Sequence, residues 1–153
     1  MKLAEALSRR AALMDKVRQL KVRLDDCIKI QEGDTPIETP EEVIAELDKT
    51  LDSLRRLIYC INITNTRTEV DGRNITSLLA ERDTLKLRVT TLADSLKHLT
   101  EREDRYNRSE IRYVRTVDAG EFRKLYDKCA SQLRQLDLKI QSIGWMTELI
   151  EEM

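Results

Sequence analysis

Residues that break regular secondary structure are scarce in this chain, which has four glycines and two prolines among 153 residues. An all-β fold needs many tight turns, which glycine and proline favour, so this scarcity argues against one. Aromatic residues make up only 4% of the chain, although the hydrophobic fraction as a whole is 41%. That fraction supplies a core and is too high for a disordered chain. The composition therefore predicts a helical bundle or a coiled coil.

An excess of charge of one sign is also missing, because 27 Lys and Arg residues face 28 Asp and Glu residues, for a net charge of −1. Proteins that bind nucleic acids or acidic membranes usually carry an excess of positive charge, so we expect neither partner. No apolar run approaches the roughly 20 residues of a membrane span. Glu5 and Arg9 stand where a signal peptide would be apolar. We therefore expect a cytoplasmic protein.

Catalytic and metal-binding signatures are few. Cys27, Cys60 and Cys129 are too few and too scattered for a disulfide framework or a zinc knuckle, and the first and last of them fall on apolar stripes, which predicts burial. His98 forms an i, i+4 pair with Asp94, for which no third metal ligand is evident. The sequence has no Gly-rich phosphate loop and no Gly-x-Ser-x-Gly elbow. We predict no cofactor and no metal, and we favour a protein without enzymatic activity over an enzyme.

Apolar residues at three- and four-residue spacing predict four amphipathic helices, over residues 3–30, 40–66, 77–103 and 119–143. Short connections between long helices favour antiparallel neighbours. The fold class predicted is mainly α, a single domain over the whole chain built as an antiparallel bundle of four long helices. In the second helix the predicted core stripe is Ile44, Leu47, Leu51, Leu54, Ile58, Ile61 and Asn65.

Local signals set the boundaries of these elements. Residues 39–42 read Thr-Pro-Glu-Glu, a capping box with proline at the first helical position, and Asp118 begins the same device before the last helix. Residues 68–75 predict a small β-hairpin, because Asp71-Gly72 favours a tight two-residue turn. Alternating apolar and polar residues over 109–117 predict one short strand.

The hairpin and the short strand would lie at opposite ends of an antiparallel bundle and could meet only between two chains. A lone two-stranded hairpin is marginally stable in water, so it gains from a third strand at its edge. We therefore predict a homo-oligomer, a dimer or an assembly built from dimers, in which the hairpin of one chain takes the strand of another.

Polar residues interrupt the apolar stripes at Arg10, Asn65 and Arg82, and the antiparallel topology would bring all three to one end of the bundle. A buried guanidinium is tolerated only when it is paired. Three hypotheses stay open: a paired polar layer that fixes helix register, a pocket in which the arginines clamp a small anion, or a different helix phase that leaves these residues solvated. The predicted cluster consists of Arg10, Asn62, Asn65, Arg82, Asp83 and Glu148.

A second polar cluster, with charges of both signs, precedes the predicted strand. It is either a solvated connector or an interface loop that approaches the first cluster across two antiparallel subunits. The predicted interface residues are Arg105, Tyr106, Arg108, Ser109 and Glu110.

Six short segments resemble, in the same order, the bacterial septicolysin-like family. They are residues 1–7, 61–65, 71–73, 82–83, 104–111 and 145–149, with the sequences MKLAEAL, INITN, DGR, RD, DRYNRSEI and WMTEL. The resemblance covers essentially the whole chain and implies a small helical bacterial protein, but little about mechanism. The family name suggests a cytolysin. Because the sequence has no export signal and no stretch able to cross a bilayer as a hairpin, we do not expect lysis.

The function predicted from the sequence is that of a non-enzymatic, self-assembling scaffold or interaction protein. The alternative is a binding protein or enzyme that holds a small anionic ligand in a composite Arg/Asn/Glu site between subunits.

Overall fold

A computed structural model describes residues 1–101 and 112–152. Within these ranges the chain forms four α-helices, with a two-stranded antiparallel hairpin between the second and the third, so the prediction of a mainly α fold is confirmed. Each predicted helix boundary lies within three residues of the observed one. The elements are α1 (Leu3–Ile28), α2 (Pro40–Arg67), β1 (Glu69–Val70), β2 (Arg73–Asn74), α3 (Ile75–Thr100) and α4 (Ala119–Met146).

The chain divides into two compact units. The first unit is Met1–Ile75 together with Gln141–Met153, and the second is Thr76–Ile140. The first contains α1, α2, the hairpin and the C-terminal segment, and the second contains most of α3 and α4. None of the helices in the described ranges combines the length and the apolarity needed to cross a membrane.

In the first unit α1 and α2 pack in opposite directions. Arg23, late in α1, pairs with Glu46, early in α2, whereas Leu13 and Leu57 line the same groove nearer the other end. Their shared core is a cluster of fully or nearly buried side chains that excludes water from the seam. Its members are Leu20, Cys27 and Val43, with Leu24 and Leu47 packed against them.

The buried face of α2 is rotated by one residue from the predicted one. Ile44, Leu51 and Ile58 were expected in the core and are instead 42%, 42% and 38% exposed. The observed buried residues are Val43, Thr50, Leu57, Cys60, Ile61 and Thr64. The prediction was wrong because two threonines made this face look polar. The hydroxyls of Thr50 and Thr64 bond to the carbonyl oxygens four residues earlier, both at 2.8 Å, so they can be buried.

The predicted capping box at Thr39 and the hairpin turn are confirmed, whereas the box at Asp118 is confirmed only in its first half, because the Glu121 carboxylate accepts from Lys124 and not from the Asp118 amide. Thr39 Oγ1 accepts from the amide of Glu42 at 3.3 Å, and the Glu42 carboxylate accepts from the amide of Thr39 at 3.2 Å. Asp118 accepts from the amide of residue 121 at 2.9 Å. Asp71 and Gly72 both have positive φ, 53° and 76°, as a tight turn that matches strand twist requires.

The strand predicted over 109–117 is not observed where it can be checked. Residues 112–117 have no regular secondary structure, and residues 109–111 lie outside the described ranges. Tyr113 and Val114, neighbours that an alternating strand would place on opposite faces, are both exposed. Because neither face is buried, the alternation in the sequence has nothing to fix it as a strand.

All three cysteines are free and buried, namely Cys27, Cys60 and Cys129. The expected burial of Cys27 and Cys129 is confirmed, and Cys60 joins them because the buried face of α2 is rotated. They act as small apolar side chains in these positions.

Candidate functional site

The predicted polar residues of the first unit lie at the end that contains the first turns of α1 and the last turn of α2. Arg10 and Asn65 are half-buried there, and Asn62 is exposed. Within the described ranges no side chain lies within ion-pair distance of Arg10. The paired layer proposed for Arg10 is therefore not seen in this unit.

Arg82 belongs to the second unit and pairs with its neighbour in sequence. Its Nε and Nη2 donate to Asp83 Oδ1 at 3.1 Å and 2.9 Å. Arg82 is half-buried and Asp83 is exposed, so the ion pair lies at the surface, where such pairs stabilise little. The grouping of Arg82 with Arg10 and Asn65 stays a prediction. The predicted interface loop, Arg105, Tyr106, Arg108, Ser109 and Glu110, lies outside the described residues.

Glu148 holds the two ends of the described chain together. Its carboxylate lies 2.5 Å from Lys2 Nζ and 3.3 Å from the amino nitrogen of Met1. The hydrogen bond from Lys2, followed by that from the terminal amine, lowers the pKa of Glu148 below its ordinary range. Leu3 N donates to the carbonyl of residue 147 at 2.9 Å, and Leu149 N donates to that of Met1 at 2.8 Å. We call residues 1–3 and 147–152 the terminal clasp.

Thr64 anchors the terminal clasp to α2. This side chain is fully buried, and its hydroxyl accepts from the amide of Ile150 at 2.9 Å while it donates to Cys60 O. Arg67, one turn later, pairs with Glu152 at 2.6 Å. A single buried hydroxyl thus satisfies a backbone donor 86 residues away in sequence.

Charged residues form a network at the opposite end of the α1–α2 pair. Arg23 forms ion pairs with two carboxylates, those of Glu38 and Glu46. Its Nη2 lies 3.0 Å from Glu46 Oε2, and Lys16 Nζ lies 3.1 Å from Glu46 Oε1. The hydrogen bonds from Arg23 lower the pKa of Glu38, and those from Lys16 and then Arg23 lower the pKa of Glu46. The network ties the loop before α2 to α1.

We expect Arg23→Gln to flatten the acid dependence of stability. Carboxylates with a lowered folded pKa stabilise the protein fully above their ordinary value of 4.5, and that stabilisation is lost as the pH falls through the folded pKa. Melting temperatures measured from about pH 6 to about pH 3 should therefore fall less in the variant than in the wild type. The exposure of the network keeps the effect modest. Arg18→Gln, which removes a pair confined to α1, is the control, and an unchanged acid slope in Arg23→Gln would contradict the assignment.

A groove of about 330 Å³ lies between α1 and α2, with the terminal clasp at one end. Its lining combines aliphatic side chains with two arginines. Neither arginine belongs to the polar cluster predicted from the sequence. The lining residues are Met1, Arg9, Leu13, Ser53, Arg56, Leu57, Cys60, Leu149 and Glu151. Among the described residues, no group of three histidine, cysteine or acidic side chains is placed to hold a metal ion.

The outer stripe of α2, which we define as Ile44, Leu51 and Ile58, is the second surface of interest. These residues repeat every seven positions and so follow one line along the helix. Two opposite charges lie between them, Asp48 and Arg55. Asp48 has no ion-pair partner in the part of the chain that the structure describes, whereas Arg55 contacts Asp52 of its own helix at 2.7 Å.

Comparisons with known proteins place the chain among proteins whose function is unknown. A family described as a family of unknown function, DUF6847, matches residues 10–149. A crystal structure of a functionally unknown conserved protein from Corynebacterium diphtheriae is similar, with 43% sequence identity and a TM-score of 0.90 over 98% of this chain and 99% of that one. No curated protein matches. Nothing in these findings supports the septicolysin-like name expected from the sequence.

Proposed function

The chain belongs to the family of unknown function DUF6847, and we propose that it is a non-enzymatic interaction protein that self-assembles through the outer stripe of α2. The observation that carries this proposal is the exposure of Ile44, Leu51 and Ile58, each at about 40%. Three large aliphatic side chains in one line leave an apolar strip in water. Pairing with another helix removes that strip from water, which is favourable.

The pattern of the stripe fits a second copy of the same helix in the antiparallel direction. A two-fold axis at Leu51 sets this residue against the partner's Leu51, and Ile44 against the partner's Ile58. The same axis sets Asp48 close to the partner's Arg55, and by symmetry the reverse. An interface that is complementary to itself in this way is what a two-fold dimer requires.

The charges also favour the antiparallel arrangement over the parallel alternative. Asp48 and Arg55 each follow a stripe residue by four positions, so both lie on the same flank of the stripe. In a parallel, in-register pair the two-fold axis runs along the helices and puts the two copies of this flank on opposite sides of the interface, so Asp48 gains no guanidinium there. The antiparallel arrangement keeps the two copies of this flank on the same side of the interface and so allows two attractions. It also supplies Asp48, which lacks an ion-pair partner among the described residues, with a guanidinium.

The self-assembly predicted from the sequence used a different route, the addition of the strand 109–117 to the hairpin. Residues 112–117 are irregular, so we assign assembly to helix pairing and leave the hairpin as a local connection between α2 and α3. The proposal retains the cytoplasmic location expected from the sequence. Helix pairing is noncovalent, so it needs no disulfide between the subunits.

Light scattering on a size-exclusion column tests the proposal. At tens of micromolar we expect a mass about twice the monomer mass of 17.9 kDa. Leu51→Glu should give a monomer, since two carboxylates would meet at the two-fold axis without a counter-ion. The matched control is Leu87→Glu, the same change at a leucine of α3 that is 68% exposed, and it should remain a dimer.

Two results would contradict this function. One is a wild-type monomer throughout the tens-of-micromolar range. The other is a Leu51→Glu variant that keeps the wild-type mass while its circular dichroism and melting curve show that it is folded. A variant that loses the dimer but keeps its helical spectrum supports the proposal, because α2 itself is then intact.

A further inference from the structure

The groove between α1 and α2 is built from two kinds of side chain. Its floor is apolar and largely closed to solvent, since Leu57, Cys60 and Leu149 are buried and Leu13 is half-buried. Arg9 on α1 and Arg56 on α2 line the same groove. An apolar floor beside a small number of charged groups is the usual composition of a small-molecule site.

The charge balance of the groove favours an anion. Arg9 has no ion pair or hydrogen-bond acceptor among the described side chains, and Arg56 contacts Asp52 through Nε at 3.0 Å. The groove lining contains one carboxylate, Glu151, against two guanidinium groups. Ser53 already donates its hydroxyl proton to the carbonyl of residue 49, at 3.1 Å, so charge recognition falls to the arginines.

From these observations we infer that the groove binds a monocarboxylate with an unbranched apolar chain of about eight carbons. A carboxylate matches the planar fork of an arginine, which donates two parallel hydrogen bonds. The chain lies on the leucine floor and removes it from water. At about 30 Å³ for each water-sized group, the volume of about 330 Å³ holds about ten non-hydrogen atoms, as in octanoate.

This site is independent of the proposed dimer. Ser53, Leu57 and Cys60 lie on the side of α2 roughly opposite to Leu51 and Ile58, at 3.6 residues per turn. A ligand in the groove and a second copy on the outer stripe therefore do not compete, and the failure of one proposal leaves the other standing.

Isothermal titration with octanoate, below the concentration at which it forms micelles, tests the inference. We expect saturable binding with a stoichiometry of one per chain. Arg9→Gln and Arg56→Gln should each weaken it about tenfold or more, and the double variant should weaken it further. Arg18→Gln, an exposed arginine of α1 outside the groove, should bind as the wild type does. Circular dichroism confirms that each variant is folded.

Two matched probes separate the parts of the site. Octan-1-ol lacks the charge and acetate lacks the chain, so each should bind at least tenfold more weakly than octanoate. The inference is overturned if octanoate does not bind, if either probe binds as tightly as octanoate, or if Arg18→Gln weakens binding as much as Arg9→Gln.

Discussion

Replacing Leu20 with alanine is expected to lower the free energy of unfolding by about 2–5 kcal/mol. Leu20 is almost completely buried, in the cluster that it forms with Cys27 and Val43 between α1 and α2. Alanine removes most of the packed side chain and leaves a cavity that two long helices can close only in part. For a chain of this size, each kcal/mol corresponds to about 2–4 °C in melting temperature.

Val22→Ala is the matched control, because Val22 lies two residues away on the same helix and is 59% exposed. We expect it to change the free energy of unfolding by no more than about 0.5 kcal/mol. Equilibrium unfolding in urea measures both variants. Equal effects of the two substitutions would mean that the α1–α2 seam is not the core of the first unit.

The second large effect is expected at Thr64, where valine should cost about 1–3 kcal/mol. Valine keeps the shape of the side chain but leaves the amide of Ile150, now bonded to Thr64 Oγ1 at 2.9 Å, without its acceptor. Ile150 is half-buried, and a donor that is partly shielded from water and has no partner is costly, so the terminal clasp should loosen. Faster hydrogen exchange at the Ile150 amide reports this loosening directly.

Two controls isolate the hydroxyl. Thr64→Ser keeps it and should protect the Ile150 amide nearly as well as threonine does. Thr66→Val removes a hydroxyl that is exposed and bonded within its own helix, to the carbonyl of residue 62 at 2.9 Å, and should leave that amide unaffected. Wild-type exchange at Ile150 in Thr64→Val would show that the hydroxyl does not hold the clasp.

Much of the fold follows from local sequence signals, but the buried face of α2 is a feature that these signals do not determine. The capping box at Thr39 and the turn at Asp71-Gly72 act within a few residues, so both could be predicted. The buried face of α2 could not be predicted, because two neighbouring lines of residues with a seven-residue repeat are both candidates for the core. The line that is buried contains Thr50, whereas the exposed line, the outer stripe, is aliphatic. A threonine bonded to its own helix is polar in composition but can be buried at little cost, which periodicity alone does not reveal.

The candidate sites depend on contacts between residues far apart in sequence. Thr64 meets Ile150, and Arg9 shares a groove with Arg56, but no spacing rule links the members of either pair. The cluster around Arg10 and Arg82 was inferred from polar residues within apolar stripes, and Arg82 is satisfied by Asp83 next to it. A polar residue within an apolar stripe marks an unusual position. Which side chain it pairs with depends on how the helices pack, and the stripe does not reveal that.

Intermolecular distances between nitroxide labels, measured by pulsed electron paramagnetic resonance, test the antiparallel pairing of α2 most directly. A ketone-bearing unnatural amino acid carries the label, so the buried cysteines stay native. A label at Asp52, next to the two-fold axis, should give a short distance set mainly by the helix separation. A label at Asn62 should give a distance of at least about 33 Å, because about 22 residues at about 1.5 Å each separate the two copies along the axis. Short distances at both positions would mean parallel helices, and no intermolecular distance at either position would mean that α2 does not pair at all.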